Sequence, residues 1–216
     1  MNPLYARATF VTAAHNLRQL PDDSLAEVAF AGRSNAGKSS ALNTIAGHGK
    51  LARTSKTPGR TQQIICFGLG DGRYLTDLPG YGYAKVPKKQ LDHWRQTLTR
   101  YLSSREPLRC LVLVMDVRHP LTDYDWLLIE AATRGNVALH CLLTKADKLS
   151  RSRAMAVLHA TRKALEEAGV EASLQLFSAL KKSGVDDAHE LLDEFLAEIP
   201  PDARPAAPDD SSTPDR

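Results

Sequence analysis

Gly32-Arg33-Ser34-Asn35-Ala36-Gly37-Lys38-Ser39 meets every fixed position of the pattern G-x-x-x-x-G-K-[ST]. The apolar run Val28-Ala29-Phe30-Ala31 comes directly before it, and the helix-forming run Ser39-Ser40-Ala41-Leu42-Asn43-Thr44-Ile45-Ala46 completes it. The octapeptide therefore sits where a strand turns into a helix. Glycines at 32 and 37 let the backbone close around phosphate oxygens, while successive N–H groups and the helix N-terminus point inward. Lys38 adds a cation, and the Ser39 hydroxyl offers a hard oxygen of the kind Mg²⁺ prefers. A glycine-bearing turn that holds nothing is the plainer reading, and the complete match with both flanks argues against it.

Working outward from this loop, strand and helix patterns alternate. On the N-terminal side, residues 1–26 form an extension whose run Ala8-Thr9-Phe10-Val11-Thr12-Ala13 is a candidate added edge strand. Beyond the first helix, Gly47 to Arg60 has the Gly, Lys, Arg, Ser and Thr content of a mobile loop. Gln62 to Leu69 and Arg73 to Asp77 read as strands joined through Gly70-Asp71-Gly72, a strong hairpin signal. Apolar residues at 91, 94, 98, 101 and 102 recur at helix spacing within Gln90 to Ser104. Leu108 to Asp116 and Val137 to Leu143 are continuous apolar runs of buried-strand length, with a helix over Asp125 to Ala132 between them. Arg151 to Ala168 is a helix closed by Gly169, Ala172 to Phe177 a last strand, and Val185 to Ile199 a closing helix.

This order predicts an α/β fold of three layers. Its sheet is mostly parallel with one antiparallel edge hairpin, and helices cover both faces. The body is residues 27–199, and the Pro-, Asp- and Ser-rich stretch 200–216 is expected to be disordered. Ligands in such sheets bind at the strands' carboxyl ends, where each remaining motif falls.

Asp77-Leu78-Pro79-Gly80 matches D-x-x-G, whose carboxylate reaches a hydrated Mg²⁺ and whose glycine N–H meets a γ-phosphate. Alone it is an ordinary turn. After Val137 to Leu143 comes Thr144-Lys145-Ala146-Asp147, in which the Asp147 carboxylate is placed to accept both the N1–H and the exocyclic amine of guanine. Adenine cannot form that pair, so GTP is favoured over ATP. The motif usually begins with Asn. Thr144 removes an amide that braces neighbouring loops, which predicts moderate affinity. Backbone N–H groups of Phe177-Ser178-Ala179 are candidates for the guanine O6. In Lys56-Thr57-Pro58-Gly59-Arg60-Thr61-Gln62, Thr61 is preferred over Thr57 as the residue that completes the Mg²⁺ shell, because it lies nearest the following strand.

Taken together, these motifs make the chain resemble P-loop GTPases related to Era and TrmE, and in detail the EngB group of ribosome-biogenesis GTP-binding proteins. The resemblance covers roughly residues 5 to 198. It rests on the phosphate loop, Thr57 to Gln62, Asp77-Leu78-Pro79-Gly80-Tyr81-Gly82-Tyr83-Ala84, Asp116-Val117-Arg118-His119-Pro120-Leu121 and Thr144 to Asp147. It implies GTP and Mg²⁺ binding, slow GTP hydrolysis, a part in large ribosomal subunit assembly, and a requirement for normal cell division and septation. The implied nucleotide contacts are Gly32, Arg33, Ser34, Asn35, Ala36, Gly37, Lys38, Ser39, Gly59, Arg60, Thr61, Gln62, Gln63, Asp77, Leu78, Pro79, Gly80, Thr144, Lys145, Ala146, Asp147, Phe177, Ser178 and Ala179. Ser39 and Thr61 are the metal ligands, and Lys38, Thr61 and Asn35 carry the chemistry. Asn35 stands where related GTPases hold K⁺ beside the phosphates, and Tyr81 stands where Ras-like switches carry a water-orienting Gln. His119-Pro120 and the Tyr81-Gly82-Tyr83 loop receive no chemical role.

Composition is compatible with this. In 216 residues of net charge +3, the seven cations Lys85, Lys88, Lys89, Arg95, Arg100, Arg105 and Arg109 crowd one segment, a surface for RNA of the ribosomal particle or simply a solvated helix face. Cys66, Cys110 and Cys141 lie apart within apolar runs and read as reduced core thiols of a cytoplasmic, monomeric protein with no membrane span. Two other classes compete with a GTP-driven switch. A P-loop kinase or ATPase would bind ATP and carry an arginine-bearing lid, and an RNA-binding scaffold would tolerate Lys38→Ala.

Overall fold

The computed structural model describes residues 2–52, 63–80 and 88–197, and only the backbone of 88–93. Its elements, in chain order, are α1 (Pro3–Ala6), β1 (Thr9–Ala14), β2 (Ala26–Gly32), α2 (Lys38–Ile45), β3 (Ile64–Gly70), β4 (Arg73–Asp77), α3 (Lys88–Ser104), β5 (Leu108–Asp116), α4 (Asp123–Arg134), β6 (Ala138–Thr144), α5 (Arg151–Glu167), β7 (Ser173–Leu176) and α6 (Val185–Ala197). Two short 3₁₀ turns, Leu17–Gln19 and Ala146–Lys148, lie between them.

The strands form one sheet in the order β1-β3-β4-β2-β5-β6-β7. From β4 through β7 every pairing is parallel, whereas β3 runs antiparallel to both β4 and β1. The Asp-Gly hairpin is thus present, with Asp71 and Gly72 at φ +52° and +70°. β1 lies one place further out and forms the edge beyond it. The pairing of β1 slips between Phe10 and Thr12, a bulge that keeps the edge short.

Alternation along the central strands builds two cores. Ala29 and Ala31 of β2 and Leu111, Leu113 and Met115 of β5 pack with Leu98 and Tyr101 of α3, Leu128 and Ile129 of α4 and Leu158 of α5. On the other face, Val28, Phe30, Cys110, Val112 and Val114 meet Tyr5 of α1, Leu42 and Ile45 of α2 and Leu192 and Leu196 of α6. Burial on both faces explains why β5 reads as an unbroken apolar run. The three cysteines are buried free thiols. Among the described residues no helix is long and apolar enough to cross a membrane.

One cation of the basic segment turns inward. The Arg105 Nε donates to Glu27 Oε2 at 2.8 Å, and the other carboxylate oxygen accepts from Thr76 Oγ1 at 2.6 Å and from the Tyr101 hydroxyl. Glu27 is fully buried, so its charge demands these donors. Arg109 likewise donates to the carbonyls of Glu106 and Leu25. Arg95 and Arg100 are exposed, while the side chains of Lys85, Lys88 and Lys89 lie outside the described residues. The basic surface is therefore narrower than the residue count suggests.

His140, only 2% exposed on β6, pairs Nδ1 with Ser173 Oγ at 2.8 Å, and its Nε2 has no partner among the described residues. Burial pushes its pKa down from 6.5 to about 4, and the neighbouring Gln175 offsets only part of that shift. The fold refuses a proton that the unfolded chain accepts below about pH 6.5, so this residue subtracts stability as pH falls from there toward 4. Urea unfolding should show a loss of about 2 kcal/mol from this residue between pH 7.5 and 5.0. His140→Leu should flatten that interval, and parallel declines in the two proteins would refute the assignment.

Candidate functional site

The carboxyl ends of β2, β4, β5, β6 and β7 share one edge of the sheet, because these strands are mutually parallel. There β2 ends in Gly32 and α2 begins at Lys38. A Cβ on Gly32 would stand 2.5 Å from the Val114 carbonyl oxygen, so only glycine lets β2 turn this close to β5. Gly37 caps α2 at φ +104°, and a Cβ there would press on Thr144 Oγ1 at 3.3 Å. Asn35 is also left-handed, at φ +65°. The loop is held to this shape by the neighbouring strand end.

β4 delivers Asp77 to the same place. Lys38 and Asp77 form a largely buried ion pair through Nζ and Oδ1. The turn that follows runs beside the loop, since a Cβ on Gly80 would lie 3.7 Å from the Gly32 carbonyl oxygen and 3.9 Å from Ser34. Leu78 is a core residue, 1% exposed, and contributes packing. The Pro79 carbonyl accepts the Trp94 indole N–H at 3.2 Å, tying this turn to α3.

β6 and β7 build the other half. The buried Thr144 hydroxyl is shared between the carbonyls of Ala36 and Met115, the latter at 3.0 Å. The expectation that threonine abandons the brace is therefore corrected, because its hydroxyl reaches the phosphate loop directly. Lys145, at φ +58°, stretches its ammonium to the Asn35 carbonyl at 2.6 Å and to Asp116 Oδ2 at 2.9 Å. Asp147 Oδ1 accepts the Ser178 hydroxyl at 2.6 Å, and that same hydroxyl accepts the Lys181 N–H at 3.1 Å. With its single proton committed, Ser178 fixes the carboxylate's direction. It also leads the causes that hold the Asp147 pKa below the ordinary carboxylate value.

The N–H groups expected at a purine oxygen need revision. Phe177 N–H donates to the Leu143 carbonyl at 2.8 Å and Ser178 N–H to the Ser183 carbonyl at 3.1 Å, so only Ala179 remains a candidate of the three. Gln63 is drawn to β1, where its amide meets His15 Nε2 at 2.9 Å and the Ala13 carbonyl at 3.4 Å, away from the phosphate loop. Gly59, Arg60, Thr61, Gln62 and Tyr81 lie outside the described residues. The sequence reading names Asp116 and Arg118 only within a motif and Trp94 only as an apolar helix position, and it gives no role to them or to the Ser178 side chain. A charged residue ending a nine-residue buried strand at the ligand-binding edge was the one available signal, and it pointed to Asp116.

The described donors near the loop, the Ser39 hydroxyl and the Asp77 carboxylate, are hard oxygens and suit Mg²⁺. No cluster of three or more His, Cys, Asp or Glu among the described residues offers a cage of protein ligands.

Residues 27–145 match the family model for a 50S ribosome-binding GTPase. A probable GTP-binding protein EngB of Methylobacillus flagellatus is 54% identical over 90% of this chain and 94% of its own length. A crystal structure of a probable GTP-binding protein EngB superposes with a TM-score of 0.65 at 21% identity, covering 80% of this chain and all of the other. Era, solved with MgGDPNP and nucleotides 1506–1542 of 16S ribosomal RNA, superposes with a TM-score of 0.61 at 21% identity over 87% of this chain and 60% of its own. At those identities the two structures speak for the fold.

Ser178→Ala removes the donor that orients Asp147. It should cost about 1–3 kcal/mol in urea unfolding at neutral pH. The loss should shrink below the carboxylate's titration range, because a lowered carboxyl pKa stabilises the fold only above it. Carboxyl-detected NMR should place the Asp147 titration higher in the variant, and an unmoved titration would refute the assigned role.

Proposed function

Because the chain belongs to the EngB family of GTP-binding GTPases, we propose that it is a GTP-driven switch in large ribosomal subunit assembly whose purine specificity rests on Asp147. One observation carries the reading: the Lys38–Asp77 pair and the Ser178-oriented Asp147 sit at the two ends of one sheet edge, joined through the Thr144 hydroxyl to Ala36. The first end offers a cation for β- and γ-phosphate oxygens and a carboxylate for a hydrated ion. The second offers a fixed double acceptor for guanine, without an equivalent for adenine.

In this reading the phosphates lie along Gly32 to Ser39, with Lys38 on the β,γ oxygens and Gly80 N–H toward the γ position. Ser39 and Thr61 would hold Mg²⁺, with Asp77 acting through its water shell, and the ion would there supply charge neutralisation for the transferred group. The protein's own part is positioning: Lys38 stabilises charge and Thr61 orients water, with Gly59, Arg60 and Gln62 as further nucleotide contacts. Tyr81 lacks the amide that orients water in Ras-like switches, so unaided hydrolysis is slow. Asn35 would hold K⁺ beside the phosphates, and the ion would there supply positive charge that raises the rate. Residues 27–199 are the GTP-binding domain, with 1–26 an extension that supplies the edge strand, and the tail expected over 200–216 lies outside the described residues.

A 50S ribosome-binding family model, an Era relative solved with ribosomal RNA, and the exposed Arg95 and Arg100 of α3 support a ribosomal particle as partner. The protein acts as a cytoplasmic monomer and is needed for normal cell division and septation.

Competition titration should show GTP and GDP binding in preference to ATP. Asp147→Asn should weaken guanine nucleotides at least about 100-fold, by removing a charged double acceptor, and transfer preference to xanthine, whose C2 oxygen accepts from an amide. An unchanged purine preference, or preference for ATP in the parent protein, would overturn the reading. Co-sedimentation with large subunits should be stronger with GTP than with GDP. Hydrolysis should be faster in K⁺ than in Na⁺ buffer, and equal rates would remove Asn35 from the mechanism.

A further inference from the structure

The residues that meet at the end of β5 form a charge hub without an assigned role. Even-numbered residues 110, 112 and 114 of β5 face the core that contains α2, so Asp116 continues that face toward the phosphate loop. In register it pairs with Thr144, directly before Lys145. Both carboxylate oxygens are used. Oδ1 accepts the Arg118 N–H at 3.0 Å and Nε at 2.9 Å, while Oδ2 accepts Arg118 Nη2 at 2.6 Å and pairs with Lys145 Nζ at 2.9 Å.

Resting on the assignment of Lys145 and Asp147 to the base, we propose that Asp116, locked by Arg118, is a positioning residue for guanine-nucleotide retention through its hold on the Lys145 ammonium. Lys145 sits in the left-handed region, a conformation that costs an ordinary side chain about 1 kcal/mol and persists only where its surroundings impose it. Two contacts impose it here. The Asn35 carbonyl takes the ammonium from the phosphate-loop side, and Asp116 takes it from the β5 side. Between them the lysine stem is drawn taut across the gap from the end of β6 to the loop. A Cβ on Gly37 would lie 3.8 Å from its Cε. The same lysine thus links the base end and the phosphate loop in one fixed geometry.

Arg118 completes the hub. Its side chain is 44% exposed and that of Asp116 only 11%, so the guanidinium closes the solvent side of the carboxylate. The bidentate fork fixes the plane of the carboxyl group, which a single lysine contact leaves free to rotate. Although burial alone would raise it, Arg118 and Lys145 together keep the Asp116 pKa well below the usual carboxylate range, so the hub stays charged throughout the working pH range.

The test is nucleotide dissociation and affinity in the full chain with fluorescent GDP and GTP analogues. Asp116→Ala should raise both dissociation constants about ten-fold, mainly through faster release, and leave their ratio within about two-fold, because the hub acts at the base end. Asp116→Ala combined with Lys145→Ala should bind no more weakly than Lys145→Ala alone, whereas the change should add in full to Ser178→Ala. A purely structural role would lower the melting temperature and add to both. Should Asp116→Ala fail to fold, Arg118→Ala, a change at an exposed side chain, should give about three-fold faster release, which Arg118→Lys restores only in part. Wild-type-like release in these variants, or full additivity with Lys145→Ala, overturns the proposal. A parent protein that ignores guanine nucleotides defeats the underlying base assignment instead.

Discussion

The end of β6 presses against the glycine-bearing loop after β2, and the geometry of the whole sheet edge follows from that contact. A Cβ on Gly37 would crowd Thr144 Oγ1 at 3.3 Å, and the φ of +104° would strain any side chain there. The Thr144 hydroxyl bonds the Ala36 carbonyl, and Lys145 bonds the Asn35 carbonyl. Two consecutive residues of one strand end thus hold two consecutive carbonyls of the loop. Those carbonyls turn toward β6, while the Ala36 N–H closes the loop on the Arg33 carbonyl at 2.9 Å. A parallel sheet makes this possible, since β2, β5 and β6 all finish at one edge with the nine-residue β5 as the spacer between them.

Much of this was legible because the sequence states it locally. The phosphate loop carries its own glycines and lysine, the Gly70-Asp71-Gly72 hairpin its own turn residues, and β5 its unbroken apolar run. In each case one stretch of chain holds the whole physical reason for its conformation. Helix ends were less exact for the same reason. α4 begins at Asp123, two residues before the apolar pattern alone suggests, because the Thr122 N–H and hydroxyl both bond the Asp125 carboxylate at 2.8 Å and stabilise an extra half-turn.

What could not be read was what two distant segments decide together. Arg105 belongs to a basic run by sequence and to a buried carboxylate by structure, and its partner Glu27 lies 78 positions away. Asp116 is one acid at the end of an apolar run until β6 brings Lys145 beside it. Ser178 within Phe177-Ser178-Ala179 looks like a backbone element, yet its hydroxyl directs Asp147, 31 positions earlier. Thr144 is the instructive case. Judged by residue type it lacks an amide, but judged by position its shorter side chain suffices, because Gly37 lets the loop come close enough for a hydroxyl.

The two halves of the edge are joined to the body in different ways. The base side is tied by short contacts among β5, β6, β7 and the loops that follow them. The Asp77-Leu78-Pro79-Gly80 turn instead holds α3 near its start through Trp94, and α3 is held at its far end by Tyr101 and by Arg105, just beyond it, on Glu27. Glu27 lies in β2, the strand that leads into the phosphate loop. An apolar cluster of equal volume is often as stable as such a buried pair, so stability alone does not account for the arrangement. The Tyr101 hydroxyl and the Arg105 guanidinium, converging on one carboxylate, instead fix the direction and register of α3, which apolar packing specifies less sharply.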